Sequence, residues 1–144
     1  MEIIQATQKH QREAAYALRH AVFVEEQNVP VELEIDEHDE TDALHFIALE
    51  QGQVVGTARI LRKGSAAKIQ RVAVAKGNRG TGLGHQLMGH LMDYAKTMDR
   101  ITSIVLDAQT DALPFYEKLD FVAQGHVFDD AGIPHRTMRY VLES

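Results

Sequence analysis

A chain of 144 residues and 16.1 kDa is long enough for one domain with its own hydrophobic core. It contains no cysteine, which excludes disulfides, thiolate metal sites and a cysteine nucleophile and suits a reducing, cytoplasmic compartment. The formal net charge of −6 argues against nucleic acid as a partner. The N-terminus is unlike a secretory signal, and no apolar stretch is long enough to cross a bilayer, so we expect no membrane partner either.

The N-terminal half is predicted to hold a strand, a helix and a three-stranded meander. Residues 2–6 form the first strand, and apolar residues at helical spacing predict a helix from Thr7, a possible cap. The acidic stretch around Pro30 is expected to be irregular or broken helix. Three strand-like runs separated by turn residues then follow, at residues 45–50, 53–62 and 68–75.

The C-terminal half begins with a long helix after a glycine-rich loop. Its apolar residues recur at i, i+4 and i+8, which predicts one buried face made of Leu83, Leu87, Met88, Leu91, Met92 and Ala95. The remaining elements are a buried strand, a short helix and two closing strands, at residues 101–108, 111–119, 120–128 and 135–142. The turn between the closing strands holds Asp130, Gly132 and Pro134. We therefore expect an α+β fold, a curved mixed sheet flanked by helices, in a single domain over residues 1–144.

Acidic residues are concentrated in residues 25–42, which hold nine of the 21 Asp and Glu and none of the 15 Lys and Arg. The rest of the chain therefore has a small positive excess, with 15 basic against 12 acidic residues. Such an excess is compatible with a small anionic cofactor. The alternative is that the acidic segment is a solvated loop without a role.

The loop before the long helix carries the clearest functional signal. Gly80, Gly82 and Gly84 allow the backbone to approach a ligand, and the first-turn N–H groups lie at the positive end of the helix dipole. This combination predicts an anion cradle, most naturally for phosphate. The spacing fits neither a dinucleotide fingerprint nor a P-loop, since the third glycine is one residue early and His85 follows the last glycine. The alternative is a glycine-rich turn without a ligand.

Two motifs in this order resemble the GNAT superfamily of acyltransferases. Arg79-x-x-Gly82-x-Gly84, after a strand ending in residues 72–74, resembles its acetyl-CoA motif. Downstream, residues 112–121 (ALPFYEKLDF) resemble the signature A-x-x-F-Y-x-K-x-G-F, with aspartate at position 120 where glycine is usual. The segments 22–30, 36–39 and 132–135 are similar to a small bacterial GNAT subgroup, most of whose members have no assigned substrate.

The resemblance implies an N-acetyltransferase of GNAT fold that uses acetyl-CoA as co-substrate. It implies cofactor contacts from Val72, Ala73, Val74, Arg79, Gly80, Thr81, Gly82, Leu83, Gly84, Asp111, Phe115 and Tyr116. Position 111 departs from the family pattern, in which asparagine often contacts the cofactor. The family also often forms symmetric dimers, so a homodimer is possible.

Two residues are candidates for proton transfer. Tyr116 is the candidate general acid, since a phenol can donate to a leaving thiolate; the alternative is that it is a core aromatic beside Phe115. His135 is the candidate base, since an imidazole of unperturbed pKa near ~6.5 is mostly neutral at pH 7. Alternative bases acting through water are Glu25, Glu26 and Glu34. Without a cysteine or a G-x-S-x-G elbow, we expect direct attack in a ternary complex rather than an acyl-enzyme.

The C-terminal pattern Pro134-His135-x-x-Met138 is similar to the glyphosate N-acetyltransferases, GNAT enzymes that act on small anionic amines. This resemblance implies that Arg19 and Arg71 bind the acceptor anion, although Gln109 stands where those enzymes have a third arginine. Glu26 is a further candidate for acceptor binding, and no metal is expected. The alternatives are an internal ion pair for the two arginines, a polyamine or peptide acceptor, and a non-catalytic acyl-CoA-binding module.

Overall fold

The computed structural model describes residues 1–142 as strands and short helices in the predicted order. The strands are β1 (Glu2–Gln5), β2 (Leu44–Glu50), β3 (Gln53–Lys63), β4 (Ala66–Val74), β5 (Ser103–Gln109), β6 (Val122–Asp130) and β7 (Ile133–Val141). The α-helices are α1 (Lys9–Arg19), α2 (Val31–Glu34), α3 (Leu83–Thr97) and α4 (Leu113–Glu117). A π-helical turn (His20–Glu26) continues α1, and 3₁₀ turns lie at Glu37–Glu40, Lys76–Asn78 and Thr110–Ala112.

The seven strands form one mixed sheet in the order β1-β2-β3-β4-β5-β7-β6. β1 to β4 pair as antiparallel neighbours, and α3 then crosses over to β5, which runs parallel to β4. β7 lies between β5 and β6, so the closing hairpin attaches through its second strand. The architecture is the expected α+β fold.

β4 and β5 pair only along Ala66–Lys68 and Ser103–Val105 and diverge beyond that point. β4 contains a bulge here: Thr57 of β3 pairs with Ala73 and Arg59 pairs with Gln70, so two residues of β4 stand opposite one of β3. One of the two, Arg71, has a φ of +57°. Because a bulge bends its strand and interrupts the ladder, the C-terminal half of β4 is separated from β5 by a cleft.

The core lies between the sheet and α3. All six residues of the predicted stripe on α3 are buried. Gly56 of β3 lies under this helix, and a Cβ there would stand 2.7 Å from Cδ2 of Leu83, which explains a glycine inside a strand. Within residues 1–142, no helix is long and apolar enough to cross a membrane.

Most element bounds differ from the prediction by one or two residues, and two of these differences have a local cause. α1 begins after Gln8 rather than at Thr7, since the side chain of Gln11 accepts a hydrogen bond from the backbone N–H of Gln8 at 3.0 Å. The β6–β7 turn is confined to residues 131–132, which both have positive φ, so Pro134 already belongs to β7.

Candidate active site

The cleft between β4 and β5 is a pocket of about 320 Å³. Residues 68–72 of β4 form one wall and residues 106–109 of β5 form another. The π-helical turn and α2 contribute Phe23 and Glu34, and the C-terminal part of the chain contributes Tyr116 and His135. The structure thus brings together Val72, Arg71, Tyr116 and His135 among the predicted residues.

Tyr116 of α4 is 9% exposed and packs against Phe115, with ring centroids 4.9 Å apart, and against Phe121. Burial raises the pKa of its phenol to about 12. The hydroxyl has no hydrogen-bond partner within residues 1–142, and in this range no side-chain N or O atom is both buried and unpartnered. The hydroxyl is therefore open to the pocket that Tyr116 lines.

His135 lies on β7 opposite Gln109 of β5 and stacks on Phe128, with ring centroids 6.0 Å apart. Its Nδ1 stands 2.7 Å from the carbonyl oxygen of Ile133. Because a carbonyl can only accept, Nδ1 carries the hydrogen and a neutral ring leaves Nε2 with a free lone pair. This is the tautomer that a base in the pocket requires.

The glycine-rich loop leads into α3 through Gly80 and Gly82, which flank Thr81. Gly80 and Gly82 have φ of +75° and +87°, and a Cβ on either would meet no atom of the described residues 1–142 within 4 Å. Gly82 precedes α3, and among residues 1–142 no side chain caps the first turn of the helix. Thr81 supports the loop by donating its hydroxyl to the carbonyl of Asn78 at 2.6 Å. The loop therefore presents free N–H groups at the positive end of a 15-residue helix.

Gly84 serves a different purpose from the other two glycines. A Cβ there would stand 3.2 and 3.3 Å from Cζ and Cε1 of Phe115, so Gly84 allows α4 to pack closely on α3. Phe115 also contacts His85, with ring centroids 4.6 Å apart. Leu83 is 3% exposed and packs in the core, so only its backbone is available to a ligand.

At the end of β4, most side chains pack in the protein, so the backbone is the part of this segment that is available to a ligand. Val72 lines the pocket, whereas the side chain of Ala73 is buried and that of Val74 packs on a core cluster. The Nε of Arg79 donates to the carbonyl of Val74 at 3.0 Å, and its Nη1 stands 2.8 Å from Oε1 of Glu26.

Glu26 and Asp111 lie outside the pocket. The salt bridge of Glu26 to Arg79 joins the π-helical turn to the glycine loop. Asp111 is exposed on a 3₁₀ turn. Their contacts with an acceptor or a cofactor therefore stay predictions from the sequence.

Arg19 does not lie where the sequence-based prediction of acceptor binding placed it. Its side chain is 1% exposed, and its Nε and Nη2 donate to the carboxylate of Glu34 at 2.8–3.1 Å. Its Nη1 donates to Asp39 at 2.7 Å. A buried guanidinium requires such partners, and all three of its nitrogen atoms have one. The structure thus places Arg19 in the internal ion pair that the sequence left open, and not at the acceptor.

Arg19 belongs to an ion-pair cluster of three arginines and three carboxylates: Arg19, Arg59, Arg71, Glu34, Asp36 and Asp39. Arg59, which the sequence analysis missed, donates to Asp36 at 2.6 and 2.8 Å and to Asp39 at 2.7 Å. Burial alone would raise the pKa of Asp39, but Arg19 and Arg59 more than offset burial and hold that pKa well below its usual range. The sequence does contain a signal for this cluster: the acidic segment 25–42 has no Lys or Arg of its own, so any buried carboxylate in it needs an arginine or lysine from elsewhere in the chain.

Arg71 connects this cluster to the pocket. Its Nε donates to the carboxylate and to the carbonyl of Glu34, both at 3.1 Å, and its Nη2 stands 3.4 Å from Asp36. Burial, with Arg59 and Arg19 nearby, lowers the pKa of its guanidinium. Its Nη1 has no hydrogen-bond partner within residues 1–142, and its side chain is 23% exposed where β4 lines the pocket.

The family model for the acetyltransferase (GNAT) domain matches residues 6–142. The chain is 37% identical over 139 residues to an uncharacterized N-acetyltransferase, YjcF, of Bacillus subtilis strain 168, covering 96% of this chain and 98% of YjcF. The crystal structure of Escherichia coli ElaA matches with a TM-score of 0.87 and 31% identity, over 96% of this chain and 97% of ElaA. An acyl-CoA N-acyltransferase from Pseudomonas aeruginosa matches with a TM-score of 0.85 and 32% identity, over 96% of both chains.

Proposed function

Because the chain belongs to the GNAT acetyltransferase family, we propose that it moves an acetyl group from acetyl-CoA to a primary amine of a small, anionic acceptor. The observation that carries this proposal is the pocket where β4 and β5 diverge. The proposed proton donor, Tyr116, and the proposed proton acceptor, His135, line that pocket beside β4 backbone that has no strand partner on the β5 side within residues 1–142.

The residues present fit acetyl-CoA. Gly80 and Gly82 leave open space around the loop, and the uncapped first turn of α3 offers N–H groups to the pyrophosphate. Beyond the last β4–β5 pair, the backbone around Val72 and Val74 would bind the pantetheine arm as an added strand. When bound, the cofactor supplies the acetyl group as a reactive thioester, and a backbone N–H near Val72 would polarise its carbonyl.

Tyr116 acts as the acid in this proposal. A pKa near 12 keeps its phenol protonated throughout the neutral range, so the hydroxyl would give its proton to the thiolate as the carbon–sulfur bond breaks and would regain one from the nitrogen that forms the amide. The aromatic neighbours Phe115 and Phe121 fix the ring, which holds the hydroxyl in place.

His135 acts as the base. Its Nε2 lone pair takes a proton from the acceptor's ammonium group, and the neutral amine then attacks the carbonyl directly. No covalent acyl-enzyme is involved. The Nη1 of Arg71 would bind the acceptor's anionic group, because this nitrogen has no hydrogen-bond partner within residues 1–142 and Arg71 lines the pocket.

The test is a mass-spectrometric screen of pooled amino acids, aminosugars, polyamines and peptides with acetyl-CoA. We expect an amine bearing a carboxylate or phosphate as the best acceptor. Arg71→Ala should raise its KM about tenfold and leave the KM of acetyl-CoA within about twofold, since one charge-assisted contact is lost. The exposed Arg62 provides the control variant Arg62→Ala.

Two results would contradict parts of the proposal. Spermidine or a lysine-rich peptide as the best acceptor would exclude the anionic class. Binding of acetyl-CoA without turnover on any amine would instead identify a non-catalytic acyl-CoA-binding module.

A further inference from the structure

Gln70 precedes Arg71 on β4 and lines the pocket. Its Oε1 accepts hydrogen bonds from Arg59, from Nε at 3.2 Å and from Nη2 at 2.9 Å. A guanidinium offers only donors, so the amide must present its oxygen to Arg59 and its NH₂ group to the other side. The chemistry of the partner therefore settles the amide orientation.

The NH₂ group of Gln70 is free to bind a ligand. Nε2 has no acceptor within residues 1–142, and in this range no side-chain N or O atom is both buried and unpartnered, so Nε2 is open to the pocket. Arg59, which holds the amide, is itself 1% exposed and fixed by Asp36 and Asp39. Such a pre-oriented donor loses little conformational entropy when it binds.

Lys68 adds a second donor on the same wall. It lies two residues before Gln70, so the two side chains leave the same face of β4 about 6.6 Å apart at their Cα atoms. Its Nζ stands 3.0 Å from Oδ2 of Asp107, whose Oδ1 accepts from Thr137 at 2.8 Å. An ammonium group has three donors, so Lys68 keeps donor capacity for a ligand.

We propose that Nε2 of Gln70 and Nζ of Lys68, beside Nη1 of Arg71, form a subsite for an oxyanion, the carboxylate or phosphate of the acceptor. The inference rests on the proposed function and deepens it, because it replaces the buried Arg19 with two other partners for the anion. All three groups are donors on residues 68, 70 and 71 of one strand, whereas the proposed proton acceptor His135 lies on β7. The acceptor's anion then lies against β4 while its amine faces His135.

Gln70→Glu tests this subsite with a nearly isosteric change. A glutamate keeps one oxygen on Arg59, so the fold is preserved, but it replaces the NH₂ donor with a negatively charged oxygen. The matched control is Gln124→Glu, since the Oε1 of Gln124 accepts from Nε of Arg139 at 3.2 Å on the exposed surface. Both variants add one negative charge beside an arginine.

The first measurement needs no enzymatic activity. Inorganic phosphate is titrated into ¹⁵N-labelled protein, and the side-chain amide signal that disappears in Gln70→Glu is followed. We expect a saturable shift of this signal, and a phosphate affinity at least about tenfold weaker at the pocket in Gln70→Glu but unchanged in Gln124→Glu. The affinity in the variants is read from the backbone amide of Val72. A static Gln70 signal, or equal affinity in Gln70→Glu, would overturn the subsite.

The second measurement compares an amino-carboxylate acceptor with its carboxamide. Gln70→Glu should raise the KM of the carboxylate about tenfold and that of the carboxamide less than about twofold. An equal rise in KM for both acceptors would show that the substitution disturbs the pocket in general and that Gln70 does not bind the anion. If no amine is acetylated at all, the proposed enzyme fails, while the phosphate titration still decides the subsite.

Discussion

Two side chains of the pocket present opposite hydrogen-bonding groups, and their surroundings explain why. Desolvation keeps the hydroxyl of Tyr116 protonated, with a pKa near 12. In the neutral ring of His135, a hydrogen bond to the carbonyl of Ile133 keeps the hydrogen on Nδ1, so Nε2 has a free lone pair. The proposed acyl transfer to an amine needs one proton acceptor and one proton donor, and these two pocket residues are the candidates for the two roles.

Tyr116→Phe should lower kcat about 100-fold and leave the Kd of acetyl-CoA within about twofold, because the hydroxyl acts only as the thiolate leaves. Tyr140→Phe is the control, since this ring contacts Phe121 in the same aromatic cluster but lies outside the pocket. Steady-state thiol release measures kcat. If kcat is unchanged in Tyr116→Phe while the chemical step limits the rate, Tyr116 is only a core aromatic.

The pH profile gives a separate test of the same residue. The raised pKa means that the phenol loses its proton only as the pH approaches about 12, and not near its ordinary value of about 10. Wild-type kcat should therefore show no fall from tyrosine ionisation between about pH 9 and pH 10.5. A fall centred near pH 10 that disappears in Tyr116→Phe would contradict the burial of this phenol.

At the scale of elements, α2 and the 3₁₀ turn after it are held on the molecule mainly by charge. Val31, Leu33 and Ile35 are 53%, 55% and 46% exposed, so the apolar side chains of this segment contribute little burial. Glu34 and Asp39, by contrast, are almost fully buried against arginines of α1 and β3. The ion-pair cluster thus fixes a segment that forms part of the pocket wall.

Asp39→Asn should lower the free energy of unfolding by about 3–5 kcal/mol, since it leaves Arg19 and Arg59 buried with one carboxylate too few. The control is Asp99→Asn, an exposed carboxylate beside Arg100, which should change stability by less than about 0.5 kcal/mol. Urea unfolding followed by circular dichroism measures both. Equal stability of the two variants would show that the cluster contributes nothing net.

Acid should act on the same cluster. The pKa of Asp39 is lower in the folded than in the unfolded chain, so its contribution is present above the unfolded value near 3.9 and is lost as the pH falls further. The pKa of Asp36 is lowered in the same direction by Arg59. Wild-type stability should decline steeply below about pH 4, and Asp39→Asn should decline less steeply. Parallel acid curves for wild type and variant would contradict this assignment.

At the scale of the whole molecule, the two faces of the sheet carry different parts of the site. Arg59 and Ile60 are neighbours on β3, and their side chains point to opposite faces. Arg59 belongs to the ion-pair cluster, whereas Ile60 packs in the core with Leu87 of α3. The glycine loop therefore lies on the α3 side of the sheet, the side chains of Arg59 and Gln70 lie on the other side, and β4 and β5 diverge between the two.

The sequence predicted what depends on local patterns and missed what depends on distant partners. The stripe on α3 and the glycine loop follow from residues a few positions apart, and the structure confirms both elements. The partner of Arg19 lies 15 residues away and that of Arg71 lies 37 away, so no spacing rule identifies them. The bulge was equally hidden, because arginine does not favour a φ of +57° and only tertiary contacts hold it there.

The central claim, that the glycine loop and the diverging strands bind acetyl-CoA, is tested most directly by calorimetric titration of the cofactor. We expect saturable one-to-one binding to the wild type and at least about tenfold weaker binding to Gly82→Asp, whose carboxylate would repel the pyrophosphate. Gly64→Asp should bind like the wild type, since Gly64 shares the positive φ and open surroundings but lies in the β3–β4 turn. No heat at millimolar acetyl-CoA, or an unchanged Kd in folded Gly82→Asp, would contradict the claim.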